Sequence, residues 1–163
     1  MIQMTHADIL KRAFDLYTQR DNIAYFMGAK VQVLTDELMD QLRKDYWDAH
    51  FKRYTDAEFQ KIKDWSRGKL GMDCSGFVGY CVNDKWLYSG ALWERCVNKT
   101  TVKDCKAGSI LYRVGHVGLD IGYGYQIDCP IEMQTLRITK NSVPGFTGGG
   151  EWKYADYSKS SNI

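Results

Sequence analysis

Cys74 lies in the run Met72-Asp73-Cys74-Ser75-Gly76-Phe77-Val78-Gly79-Tyr80-Cys81-Val82, where a short polar turn feeds an apolar helical stretch. The thiol therefore stands where a helix begins. A helix N-terminus carries unpaired backbone N–H groups and partial positive charge, which favour a thiolate and can hold the oxyanion formed when it attacks a carbonyl. Such a nucleophile needs a base. His116, within Tyr112-Arg113-Val114-Gly115-His116-Val117-Gly118, starts a strand-like run between glycines that permit close approach. His6 and His50 lie in charged helical contexts, where a solvated side chain is the ordinary outcome. A third group should orient the imidazole. In Tyr125-Gln126-Ile127-Asp128, residues 126 and 128 share one face of a strand and residue 127 takes the other. Asp128 can accept the ring N–H, fix the tautomer and stabilise the imidazolium, whereas Gln126 can do only the first two. Asp128 is the assignment, with Gln126 as the alternative.

The elements that must place these groups divide the chain into a helical half and a sheet-rich half. Thr5 with Asp8 resembles a capping box, and Ile9, Leu10, Ala13, Phe14 and Tyr17 form an apolar stripe, so the first helix is expected from Thr5 to Gln19. A second should start at Thr35, with Asp36 and Glu37 in its first turn and Leu38, Leu42 and Tyr46 repeating every fourth residue. Thr55 and Glu58 form an S/T-x-x-E box for a third, with Phe59, Ile62 and Trp65 on its buried face and Gly68 as its stop. Beyond these, residues 110–114, 117–121, 125–129 and 133–139 are short β-forming runs separated by Gly115, Gly122-Tyr123-Gly124 and Pro130. The stretch from Lys140 to Gly150 reads as a loop, and 151–157 as a returning edge strand. The layout is α+β, with the nucleophile helix packed on a small antiparallel sheet that supplies the base.

Composition narrows the function classes. A chain of 163 residues that is 44% hydrophobic, with two prolines, fits one domain spanning residues 1–163 with a core of its own. A net charge of +2, without a dense Lys/Arg cluster, argues against nucleic acid as a partner. No apolar stretch approaches the roughly 20 residues of a membrane span, and the N-terminus lacks the basic-then-apolar layout of a signal peptide. The expectation is a monomer made in the cytoplasm and not inserted in a membrane. Five cysteines at uneven spacing do not form a disulfide framework. Nor do Cys74, Cys81, Cys96, Cys105 and His116 contain the short C-x(2–4)-C spacing of structural zinc sites. Cys81, Cys96, Cys105 and Cys129 read as small hydrophobes, and neither metal nor cofactor is expected.

Two motifs carry a family resemblance. Asp73-Cys74-Ser75-Gly76-Phe77 resembles the nucleophile motif of the NlpC/P60 family of papain-like cell-wall peptidases, and Gly115 to Gly122 resembles its histidine strand, in the same order. Ile23-Ala24-Tyr25-Phe26-Met27-Gly28-Ala29-Lys30 resembles the family's Pro-Tyr-x-x-Gly-Gly stretch, whose tyrosine lines the substrate cleft. Residues 35–69 are then a helical insertion that could form a wall of that cleft. Two positions depart from the pattern: Asp128 stands where many members have histidine, and Ala29 replaces a glycine.

The resemblance implies a papain-like fold and two-step acyl transfer by Cys74, His116 and Asp128, without metal or cofactor. It implies a peptidoglycan stem peptide as substrate, cut between D-glutamate and the diamino acid. Tyr25, Asp73 and Ser75 would bind that substrate, the latter two through its free amine and polar groups, although either of these two also suits an N-cap. The Tyr25-to-Cys74 arrangement looks like phage-associated members, which suggests a phage or prophage lysin reaching the wall through a holin or on a tail. Trp86, Trp93, Trp152, Tyr154 and Tyr157 could touch glycan, though most are expected in the core or on edge strands. The alternatives are an N-acetylmuramoyl-L-alanine amidase, transpeptidase or toxin on the same fold, a non-catalytic phage structural component, or a redox or metal sensor.

Overall fold

The computed structural model describes residues 3–162. In chain order it contains β1 (Met4–Thr5), α1 (His6–Tyr17), β2 (Ile23–Tyr25), β3 (Lys30–Val33), α2 (Asp36–Asp45), α3 (Asp56–Ser66), β4 (Leu70–Met72), α4 (Cys74–Cys81), α5 (Ser89–Glu94) and β5 (Cys96–Thr100). The remaining strands are β6 (Ile110–Arg113), β7 (His116–Gly122), β8 (Tyr125–Asp128), β9 (Arg137–Lys140), β10 (Gly148–Trp152) and β11 (Ala155–Asp156). The α+β expectation holds: α4 packs on β7, within a six-stranded antiparallel sheet ordered β5-β10-β6-β7-β8-β9.

Local sequence accounts for the helix starts. Thr5 and Thr55 each accept the N–H of the third residue on, while the Asp8 and Glu58 carboxylates reach back to the capping residue's own N–H, forming two reciprocal boxes. Thr35 caps α2 through the Leu38 N–H. Helix α4 is apolar nearly all round and is buried accordingly, from Cys74 to Gly79 and again at Cys81. Its Phe77 and Val78 join Ile9 of α1 with Leu119 and Ile127 of the sheet in the main core.

Residues 35–69 leave β3 and return on β4, and the excursion is closed at its base by Leu34 N–H to Lys69 O (2.9 Å) and Gly68 N–H to Leu34 O (2.8 Å). It builds a second core from Phe26, Leu34, Met39, Phe51, Phe59 and Ile62.

Several elements differ from the sequence reading. The helical half carries its own three-stranded sheet, β2-β4-β3, in which β2 runs parallel to β4. Its strands are three or four residues long and show no alternation, so periodicity could not reveal them. The fourth expected sheet strand starts at Arg137 and not Met133, since residues 131–134 form a turn, closed by the Gln134 N–H on Ile131 O, in which Met133 has φ +62°. The largest correction concerns Gly148-Gly149-Gly150. These residues belong to β10, which is an interior strand paired on both sides, and not to a loop before an edge strand. A Cβ on Gly149 would stand 2.8 Å from Cys105 Cβ, and one on Gly150 would stand 2.8 Å from Cys96 Cβ. The glycines are there because neighbouring side chains press onto the backbone, and not because the chain turns.

Candidate active site

Strand register brings the sheet's polar groups together. A two-residue turn, Val114-Gly115, with Gly115 at φ +82°, makes His116 the first residue of β7, opposite Arg113. Leu119 pairs with Ile127 and both enter the core, which leaves Gln126 and Asp128 on the other face of β8. On β9, Arg137 stands opposite Asp128 and Thr139 opposite Gln126. The hydrogen bonds follow this register. His116 Nε2 lies 2.7 Å from Asp128 Oδ2, Arg137 donates to both Asp128 oxygens (Nε at 2.8 Å, a terminal nitrogen at 3.1 Å), and Gln126 Nε2 donates to Asp128 Oδ1 at 3.0 Å and to Thr139 Oγ1 at 2.8 Å. Of the two residues open at the sequence level, it is Asp128 that meets the imidazole, while Gln126 supports the carboxylate from behind.

Asp128 is fully buried. Burial raises its carboxyl, but the hydrogen bonds from His116, Arg137 and Gln126 outweigh that and hold it down to about 2. It is therefore a carboxylate at neutral pH, and it commits Nε2 of His116. The free ring nitrogen is Nδ1. Phe146 stacks on the imidazole with centroids 5.5 Å apart and planes 3° from parallel, carried by a loop that Arg113 Nε anchors at Pro144 O (2.8 Å) and Thr147 N–H at Tyr112 O (2.8 Å). Gly118 makes room for this packing, since a Cβ there would lie 2.6 Å from Gln126 Oε1 and 2.8 Å from Phe146 Cζ.

Cys74 is the first residue of α4, following the N-cap Asp73, whose carboxylate takes the Gly76 N–H at 2.7 Å. Among the described residues the Cys74 N–H has no partner, as the geometry of a helix start dictates. Helix α4 packs on β7, and the thiol lies near the Val117 amide, next along the strand from His116. Burial pushes the thiol up to about 11 and the Asp73 carboxylate adds to this, against the Val117 amide, the Lys30 ammonium and the Ser75 amide. Burial thus works against the helix start, which favours the thiolate. A proton acceptor is required, and the arrangement supplies an oriented imidazole.

Tyr25 ends β2 in register with Met72, two residues before Cys74, and is buried. Its phenol is raised by burial first and then by Cys74 and by the carboxylates of Glu132 and Asp73, which places it among the three. Asp73 and Ser75 flank the thiol and both bond Lys30, at 2.9 and 2.7 Å from Nζ. The structure thus places Asp73, Cys74 and Ser75 at the α4 start, Tyr25 at the end of β2, His116 at the start of β7 and Asp128 at the end of β8.

Sequence reasoning missed five others. His50 is not solvated: it is buried in the insertion, bonded to the buried carboxylate of Glu132, which also accepts from Tyr54 Oη at 2.9 Å. Its ring lies 6.4 Å from that of Tyr25, so the insertion does reach the site. Lys30, Arg137 and Phe146 are the rest. Arg137 alone left a signal, a basic residue on the strand that pairs with the Asp128 strand. The aromatics considered for glycan divide: Trp152 and Tyr157 are buried, Trp93 stacks on Tyr112 at 4.9 Å, and Trp86 and Tyr154 are exposed. Cys81, Cys96, Cys105 and Cys129 are buried free thiols, as small hydrophobes should be. A cavity of about 770 Å³ between α1 and residues 82–84 and 152–154 includes none of the site residues. Among the described residues no helix is long and apolar enough to cross a membrane.

No protein-family model and no curated protein matches the chain. Solved structures do. The peptidoglycan hydrolase RipB from Mycobacterium tuberculosis superposes with a TM-score of 0.54 at 16% identity, over 91% of this chain and 66% of that one. A mutated form of the resuscitation promoting factor interacting protein RipA gives 0.57 at 16% identity, over 90% of this chain and 61% of that one. The P60 domain of an antigen from M. avium subspecies paratuberculosis gives 0.53 at 13% identity, over 91% and 94%. Against other RipA structures the chain spans about half of their length, 47%. At these identities the likeness is one of fold.

Proposed function

We propose that this chain, which has the NlpC/P60 fold, is a cysteine peptidase that hydrolyses peptidoglycan stem peptides. One observation carries the reading: a cysteine at a helix start abuts the strand whose first residue, His116, is bonded to a buried carboxylate at 2.7 Å. Thiol, imidazole and carboxylate in this relation are the parts of an acyl-transfer site.

His116 Nδ1 takes the thiol proton as sulfur attacks the peptide carbonyl carbon. Asp128, already ionised, stabilises the imidazolium, and the Cys74 N–H at the α4 start receives the oxyanion. Collapse of the tetrahedral adduct breaks the C–N bond, and His116 passes its proton to the departing amine. Water then gives a proton to the same nitrogen, attacks the thioester and restores the thiol. Burial pushes the Cys74 thiol up, so His116 serves as the acceptor of its proton when sulfur attacks.

The substrate assignment draws on the fold shared with a peptidoglycan hydrolase and on the two sequence motifs. The bond is that between D-glutamate and the diamino acid, with Tyr25, Asp73 and Ser75 lining the cleft. Residues 1–163 form one catalytic domain, monomeric, of a phage or prophage lysin acting on the wall after release; the Tyr25-to-Cys74 arrangement supports that placement. The test is digestion of purified diaminopimelate- and lysine-type peptidoglycan by wild type and Cys74→Ala, with fragments identified by mass spectrometry. New stem-peptide termini from the wild type alone are expected. Equal release by both proteins, or none from either wall, refutes the proposal.

A further inference from the structure

Lys30 stands opposite Met72 across the β3–β4 pair, and its side chain is only 8% exposed. A buried ammonium must be paired, and this one donates to Asp73 Oδ1 at 2.9 Å and Ser75 Oγ at 2.7 Å, the residues on either side of Cys74. Asp73 has little capacity left. Its Oδ1 also accepts the Gly76 N–H at 2.7 Å and the Ser75 hydroxyl at 3.2 Å, and its Oδ2 accepts the Gly28 N–H at 3.0 Å. The acid and hydroxyl that could receive a substrate ammonium beside the thiol are thus occupied by an ammonium from within the chain.

A lysine nitrogen has three N–H donors, and two are used here. The third suits an acceptor such as an amide carbonyl, whereas a second ammonium brought to the same place would meet like charge in a partly desolvated site. From this geometry we infer that Lys30 sets specificity. This side of the cleft takes stem peptides whose N-terminal nitrogen is acylated, as when still joined to the glycan, and rejects peptides with a free amino terminus there. The inference rests on the peptidase reading and narrows it to wall-linked over trimmed substrates.

The test compares muropeptides carrying their sugar with the same peptides after removal of the sugar to free the terminal amine, measured as kcat/KM with wild type and Lys30→Met. Wild type should prefer the acylated form by about tenfold or more, the factor that ~1.4 kcal/mol confers. Lys30→Met, which frees Asp73 and Ser75, should bring the ratio to one or reverse it. Equal or better cleavage of the free-amine peptide by wild type overturns the inference and leaves the peptidase reading standing. An unchanged ratio in a folded Lys30→Met also overturns it, and the wild-type ratio decides alone if that variant does not fold. Cleavage of neither form overturns both.

Discussion

Replacing Asp128 with asparagine keeps the shape of the side chain and removes its charge. In the wild type the carboxyl is raised by burial but held, by the bonds from His116, Arg137 and Gln126, at about 2 against an ordinary 3.8. That displacement is worth about 2 kcal/mol of stability at neutral pH. Above about pH 4 the group is ionised in both folded and unfolded chains, and the contribution is complete. As pH falls the unfolded chain takes up its proton first, so the contribution fades below about pH 4 and is gone only below about pH 2, once the folded form has protonated as well. Asp128 accepts four hydrogen bonds, two on each oxygen. An asparagine oxygen can keep two of them, while its NH₂ faces two donors, and buried donors without acceptors cost about 1–3 kcal/mol each. Asp128→Asn should therefore lose about 2–4 kcal/mol in urea unfolding at pH 7, much less near pH 2, and show a flattened acid limb. With the imidazolium unsupported, kcat/KM should fall about 10²- to 10⁴-fold on peptidoglycan peptides. Gln126→Ala leaves the His116 bond in place and should cost less than about tenfold. Wild-type stability of Asp128→Asn at pH 7, or activity within tenfold of wild type, would refute this account of the site.

Alkylation of Cys74 by iodoacetamide should be slow at neutral pH in the absence of substrate and should accelerate as pH rises toward about 11, because burial keeps the thiol protonated; a plateau already reached by pH 7 would show a standing thiolate. Gly118→Ala should push Phe146 off His116, since the new methyl would meet Phe146 Cζ at 2.8 Å. A stability loss of about 1–3 kcal/mol and a drop in kcat/KM are the expected readings, and unchanged values for both would show that the stack tolerates displacement. Glu132→Gln removes the charge that His50 and Tyr54 share beneath Tyr25. It should lower stability by about 1–3 kcal/mol, read as a shift in the urea midpoint, with the insertion loosening first by hydrogen exchange.

Much of this protein is determined by sequence acting locally. The caps at Thr5, Thr35 and Thr55 start helices because a side-chain oxygen three residues before an N–H is sufficient to satisfy it. Strand alternation likewise puts Gln126 and Asp128 on one face before any partner strand is known, and Asp73-Cys74-Ser75-Gly76 marks a helix start with a thiol on it. What needed the tertiary structure is everything decided between distant segments. Register, and not composition, chose Asp128 over Gln126 for His116 and set Arg137 behind it. Pairing with β5 and β6 made three glycines of an apparent loop part of an interior strand, with Cys105 pressing on Gly149 and Cys96 on Gly150. Burial pushes the Cys74 thiol up, opposite to what its place at a helix start suggests, and it drew His50 from an apparently solvated helix into a pair with Glu132. Lys30 reads in the sequence as one more surface lysine. Only the pairing of β3 with β4 brings its ammonium to Asp73 and Ser75, because charge, desolvation and packing are properties of neighbours in space, which a linear order of residues does not contain.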